Sequence, residues 1–285
     1  MYLINSYSFQ SSPSASYLLD TYSSEGGYSM RKISSTATNC IRVRRSSDNA
    51  EQDIGFVGND LDTASLLSFV GANDGFVTTW YDQSGNSRDA VNATAATQPR
   101  IVNSGVLETK NTKPAIYFND DWLKYSGQVV PLATNPFSCF TVSSHETAND
   151  YGVIFKSRDL VQTGGGTYVY NVRDRRADKL NLRVNTTSLY RADLSVQRDN
   201  SDYTLLSGFV DSSNNMSAFD NGATGTTDTY SGTYTSDAFM IGDPTTTQGS
   251  FQLVGHIGEI IILNTDESAN RVAIETDINN YYSVY

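Results

Sequence analysis

The chain has 285 residues, enough to bury a sizeable core, and a β sandwich of this length can be one domain; residues 1–285 are read as one unit, with residues 1–12 as a strand or arm. Only 18% of residues are charged while Gly numbers 21 and Tyr 18, a balance that favours strands and polar turns over helices. The net charge of -11 argues against a nucleic-acid partner, because affinity for phosphate chains comes mainly from Lys and Arg, and no stretch approaches a membrane span.

Residues Tyr2 to Phe9 alternate apolar and polar side chains, as a short strand or an extended arm does. The opening lacks the basic and apolar regions of a secretory signal, so the chain as given is expected not to export itself. Short helices are expected around Tyr17 to Tyr22 and Tyr28 to Ile33. In the stretch CIRVRR, Ile41 and Val43 fall on one face and Arg42 and Arg44 on the other, which reads as a half-buried strand. Asp62 is an N-cap for a helix of about two turns that Gly71 closes, with Leu61 stapling against Leu66.

A strand from Phe76 to Tyr81 then enters a tight turn built from Asp82, Ser84, Gly85 and Asn86. KPAIYF, FSCFTVSSH, YGVIFKS, TYVYNV, KLNLRV and YTLLSGFVD repeat the strand signal at sandwich spacing. Gly164 to Gly166 mark a loop that lacks the Lys-Ser or Lys-Thr of a phosphate cradle. Asn221-Gly222 supplies the positive φ angles of a two-residue hairpin turn. After the apolar strand GHIGEIIILN, with Thr265 or Asp266 as cap, Val272, Ile274, Ile278, Tyr281 and Tyr282 recur at helical spacing.

Between Asp48 and Val102 the order and spacing of EQDIGF, LDTASLLSFVG and DGFVTTWYDQSGNSRDAVNATAATQPRIV resemble the concanavalin A-like sandwich that forms the catalytic domain of fungal arabinofuranosidases. The run also resembles non-catalytic relatives of bacteria and bacteriophages, and the strand-plus-helix ending is similar to that of laminin G-like modules. The resemblance implies an all-β, two-sheet antiparallel jelly roll with short helices near 62–70 and 266–282. It leaves activity open, because enzymes, lectins and virion proteins share this scaffold.

Glycoside hydrolysis generally needs two carboxylates facing each other across the sugar. In the arabinofuranosidases that the chain resembles, the nucleophile is a Glu in an Asp-x-Glu-Asn-Asn stretch. The counterpart here, YNVRDRRADKLNLRV, carries Arg175 and Arg176 and no Glu, and the family's vicinal cysteine pair is missing. Glu275, Asp277 and Asn280 imitate the laminarinase acid motif, but on a helix-like stretch and with an amide in third place. No catalytic residue is therefore assigned, and a non-enzymatic protein is expected.

Two ligand sites are expected instead. Trp80 and Tyr81 can stack on a sugar whose hydroxyls Asp82 and Asn86 bind, although a tight turn selects the same residues. Asp120, Asp121 and Trp122 form a second sugar or Ca²⁺ candidate, with no other cofactor implied. His145 and His256 lack partners at zinc spacing, and no metal site is assigned; His256 reads as a strand residue hydrogen-bonded near Glu259. Arg42, Arg44 and Arg45 beside Asp48, Glu51 and Asp53 read as an ion-pair network. Cys40 and Cys139 in apolar strands read as buried free thiols.

Lys and Arg are absent from Asp199 to Asn270, whereas Lys156 to Arg198 holds nine basic residues against four acidic ones, as complementary assembly surfaces do. The expectation is a bacteriophage virion protein on the virion surface or otherwise extracellular. Its expected partners are other virion chains, cell-surface glycans and further copies of itself. The alternatives are an arabinofuranosidase-like hydrolase with a rearranged acid pair and a purely structural assembly protein.

Overall fold

Period-two alternation in segments such as CIRVRR gives strands with one inward and one outward face, and strands make up most of the regular structure among the described residues. The computed structural model describes residues 17–131, 135–146, 151–158, 166–174, 177–185, 189–193, 203–232, 238–242 and 253–285. The N-terminal stretch expected as a strand or arm, the glycines at 164 and 165, and Arg175 and Arg176 lie outside the described residues.

In chain order, helix α1 (Leu18–Thr21) leads into β1 (Ser24–Ser29), β2 (Asn39–Arg45), β3 (Glu51–Val57) and β4 (Asp60–Leu61). Helix α2 (Thr63–Val70) precedes β5 (Gly75–Trp80), β6 (Ala90–Val91), β7 (Arg100–Asn103), β8 (Val106–Leu107), β9 (Thr109–Lys110), β10 (Lys113–Pro114), β11 (Ile116–Asn119) and β12 (Leu123–Tyr125). Then come β13 (Phe137–Ser143), β14 (Tyr151–Arg158), β15 (Gly166–Asp174), β16 (Ala177–Asn185) and β17 (Leu189–Asp193). The chain closes with β18 (Thr204–Val210), β19 (Asn215–Asp220), β20 (Ala223–Thr229), β21 (Ala238–Ile241), β22 (Val254–Leu263) and helix α3 (Arg271–Tyr282).

Two antiparallel layers result. The back layer runs β20-β19-β18-β13-β22, and β22 is long enough for β1 and β11 to share its far edge. The front layer runs β17-β16-β15-β14-β21-β12-β6. Strand β5 belongs to both: its first residues pair with β7, which leads through β11 to the back layer, and its last pair with β6 of the front layer. The jelly-roll sandwich expected from the sequence is the fold observed.

The main core fills the space between the layers, with Tyr28 stacked on Phe239 at 5.5 Å beside the fully buried Trp80 and Phe155. A second core lies on the outer face of the back layer, where Phe140, Phe209 and Ile261 meet Ile274, Ile278 and Tyr282 of α3. Val272 departs from its expected place on that helical face and is exposed, while Glu275 turns inward. Where β13 and β22 pair, the register slips at Gly258, and a Cβ there would collide with the Tyr203 hydroxyl.

Helix α2 is capped as its sequence dictates: Asp62 Oδ1 accepts from Ser65 N at 3.0 Å, and Gly71 leaves at φ 61°. Asn221 and Gly222 take φ 46° and 77° between β19 and β20. The helix expected near Tyr28 to Ile33 is not formed, because this segment pairs with β22 as β1 and its continuation. Cys40 and Cys139 are buried and free.

Candidate functional site

Within the stretch WYDQSGN, the side chains of Tyr81, Asp82, Gln83, Ser84 and Asn86 are hydrogen-bonded to the chain itself, whereas the buried Trp80 indole N–H has no partner among the described residues. The Tyr81 hydroxyl donates to Asp53 Oδ1 at 2.6 Å. Asp82 accepts from the Gly27, Ser84 and Arg88 amides and the Ser84 hydroxyl, and Asn86 Nδ2 donates to Ser24 O at 2.9 Å. The neighbouring Gln83 is buried, taking the Ile33 amide and donating to the Ser29 and Arg31 carbonyls. Tyr81, Asp82 and Asn86 thus fasten this loop to β1 and β3. Arg42 binds Asp53 and Arg45 binds Asp48, both at 2.6 Å, forming part of the expected ion-pair network.

Asp120, Asp121 and Trp122 cross from β11 in the back layer to β12 in the front layer. Asp120 takes φ 61°, which turns the chain, and Asn92 Nδ2 holds the Trp122 carbonyl at 2.9 Å. Asp121 Oδ2 accepts the Asn119 amide at 3.0 Å. Burial pushes the Asp121 carboxyl up to about 6, an effect that Asp120 reinforces and the Asn119 amide and Arg100 oppose. Among the described residues no three His, Cys, Asp or Glu side chains are arranged to hold a metal ion.

Asp121 borders a larger group of titratable side chains on the outer face of the back layer. Ile116 and Phe118 face the core, so Tyr117 faces out, in register with Arg100 on β7 and His256 on β22. The Tyr117 ring lies 5.0 Å from the His256 ring and 5.1 Å from the Arg100 guanidinium. His256 stands between two carboxylates, with Nδ1 at 2.8 Å from Glu146 Oε1 and Nε2 at 3.6 Å from Glu108 Oε2. The first is a hydrogen bond; the second is only an electrostatic contact. Arg100 holds Glu108 at 2.7 Å and Lys110 holds Glu146 at 3.2 Å.

Electrostatics separates these groups. His256 is raised, since the two carboxylates outweigh the burial that would lower it. The hydrogen bond from His256, with help from Lys110, holds Glu146 down at about 2 against burial. In Glu108 burial is outweighed by His256 and Arg100, leaving it below the usual range. Burial, followed by Glu146, raises Tyr117, and Glu108 and Asp121 add to it, so all three carboxylates act on one ring.

Of the residues singled out in the sequence, only Asp121 and His256 come together here. Glu108, Glu146, Arg100 and Tyr117 carry no motif. The outward faces of KPAIYF and GHIGEIIILN could have given Tyr117 and His256, whereas two glutamates placed by strand ends leave no periodic signal. His256 is the hydrogen-bonded strand residue expected, with Glu146 as its partner, while the carboxylate of nearby Glu259 is taken by Arg31 and Ser29.

No protein-family model matches the chain, and no curated protein sequence matches it. Solved structures do. An arabinofuranosidase complexed with arabinofuranosyl-α-1,2-xylobiose is similar at TM-score 0.66 and 13% identity, over 90% of this chain and 62% of that one. A GH54 α-L-arabinofuranosidase soaked with a cyclic sulfate inhibitor is similar at TM-score 0.64 and 14% identity, with the same coverage. A mutant of a GH54 α-L-arabinofuranosidase soaked with 4-nitrophenyl α-L-arabinofuranoside gives the same values. At these identities the likeness shows the fold alone: a β sandwich related to those of glycoside hydrolases. This chain spans less than two thirds of each neighbour's length. The expectation of a non-enzymatic protein is corrected by these likenesses, because structures that share the fold over nine tenths of the chain include glycoside hydrolases.

Proposed function

We propose that the chain is a carbohydrate-active sandwich that hydrolyses glycosidic bonds, with arabinofuranose-bearing glycans as its substrate class. Asp121 and Glu146 serve as its rearranged acid pair. The carrying observation is the cluster built around Tyr117, whose ring lies 5.0 Å from His256, the partner of Glu146 at 2.8 Å, and on which Asp121 also acts; within it burial raises Asp121 to about 6 while His256 holds Glu146 near 2. A carboxyl that keeps its proton near pH 6 is suited to protonate a leaving oxygen, while one ionised throughout is available to attack the anomeric carbon. The substrate class comes from the neighbouring structures, one holding an arabinofuranosyl xylobiose and another soaked with an arabinofuranoside.

The test is release of 4-nitrophenol from 4-nitrophenyl α-L-arabinofuranoside and of arabinose from arabinoxylan. Asp121→Asn should lower kcat by roughly 10²-fold or more and remove the pH-rate limb near 6. Absence of turnover by the unmodified chain on both substrates, or full activity in Asp121→Asn, overturns the reading. The sequence resemblance supports a place on a virion surface, with virion chains as partners.

A further inference from the structure

The layers end side by side at β17 and β20; the back-layer side of this edge carries carboxylates without a cation partner among the described residues, and the front-layer side carries the exposed Arg191 beside Asp193. Side chains of β20 bond the backbone of β17: Asp228 Oδ2 accepts from Arg191 N at 2.9 Å, and Thr226 Oγ1 accepts from Asp193 N at 2.8 Å. On the back-layer side a cleft of about 290 Å³ is rimmed by Asp211, Asp228 and Asp266 and lined by Phe209 and Met216. No Lys or Arg lines it, and none of the three carboxylates pairs with a cation among the described residues. Their oxygens take only amides and one Asn side chain, as Asp211 does from Ser213 N and Asn215 N. Arg191 belongs to the front layer at this edge; its guanidinium side chain is 55% exposed and touches Asp193 at 3.3 Å.

We propose that this edge is a twofold interface between two copies of the chain, in which Arg191 of each enters the acidic cleft of the other. A twofold axis lying along the edge exchanges front and back, so it brings the cation of one copy opposite the carboxylates of its partner, twice over. Neighbouring patches of opposite sign are self-complementary under that operation and under few others. A second copy fits better than a free cation because the complementary charge is already present beside the cleft. Extension of the sheet by strand pairing is not the route, since β20 side chains already take β17 amides. An exposed ion pair contributes little alone; partial withdrawal from water over Phe209 and Met216 is what makes it count.

Sedimentation equilibrium of the full chain tests this. The unmodified chain should dimerise, Arg191→Glu and Asp228→Arg should each weaken the dimer by about tenfold or more, and the two together should restore it. Asp266→Arg with Arg191→Glu serves as a second pair should Asp228→Arg fail to fold, as judged by circular dichroism. A chain that stays monomeric at every concentration overturns the proposal. So does a dimer indifferent to the single reversals, or one that the paired reversals do not restore.

Discussion

Protonated His256 holds Glu146 and Glu108 together, so its titration sets part of the stability. Its folded pKa lies above the ordinary 6.5, so its contribution is full below pH 6.5 and is lost as pH rises through the folded value. Glu146 behaves oppositely: lowered from 4.5 to about 2, it contributes fully above pH 4.5 and loses that contribution as pH falls toward 2. Both contributions are present between these limits, so Tm should peak in mildly acid solution. His256→Gln should flatten the decline on the alkaline side; an unchanged slope in thermal melts would remove His256 from the account. Asp121 has the reverse sign again for a carboxyl, because a pKa raised from 3.8 to about 6 makes the folded state bind the proton more tightly. Its penalty therefore grows with pH, and Asp121→Asn should stabilise the chain at neutral pH by about 1–2 kcal/mol after allowance for solvent screening.

Helix α3 is held to the back layer by apolar packing, by the Ser207 hydroxyl of β18 donating to the buried Glu275 carboxylate at 2.8 Å, and by an ionic cluster around Arg31. Arg31 grips Glu259 at 2.9 Å and 3.1 Å and reaches Asp277 of α3 at 2.7 Å, while the Tyr282 hydroxyl donates to Gly258 O at 2.8 Å. Glu259 is completely buried, so Arg31→Ala leaves an unpaired interior charge. Its cost should be about 3–5 kcal/mol, measured by urea unfolding, whereas Asp62→Ala removes only the α2 cap and should cost about 1 kcal/mol. These elements also show what the sequence discloses. Helix α2, the strand CIRVRR and the Asn221-Gly222 hairpin carry their own caps, alternation and turn residues, so local chemistry specifies them. The segment from Ser24 to Ser29 becomes a strand through its partner β22, a tertiary cause that no local pattern reports. The Glu108, His256 and Glu146 group is less legible still, because its members come from three separate segments and meet only when the back layer is complete.

At the scale of the whole molecule, the two thiols report on the integrity of the core. Burial raises Cys139 to about 12 and raises Cys40 further, and both are inert thiols in the native state. Cys40 lies on β2 and Cys139 on β13, and a thiol reagent should modify them together, at the rate of global unfolding. Early labelling of one alone would show that its region opens independently. Such joint behaviour follows from β5, whose first residues are laddered to the back layer and last residues to the front. With one strand stitched into both, the layers cannot shear past each other without breaking main-chain hydrogen bonds. The two layers therefore move as one body, and a cleft on either face keeps a fixed floor.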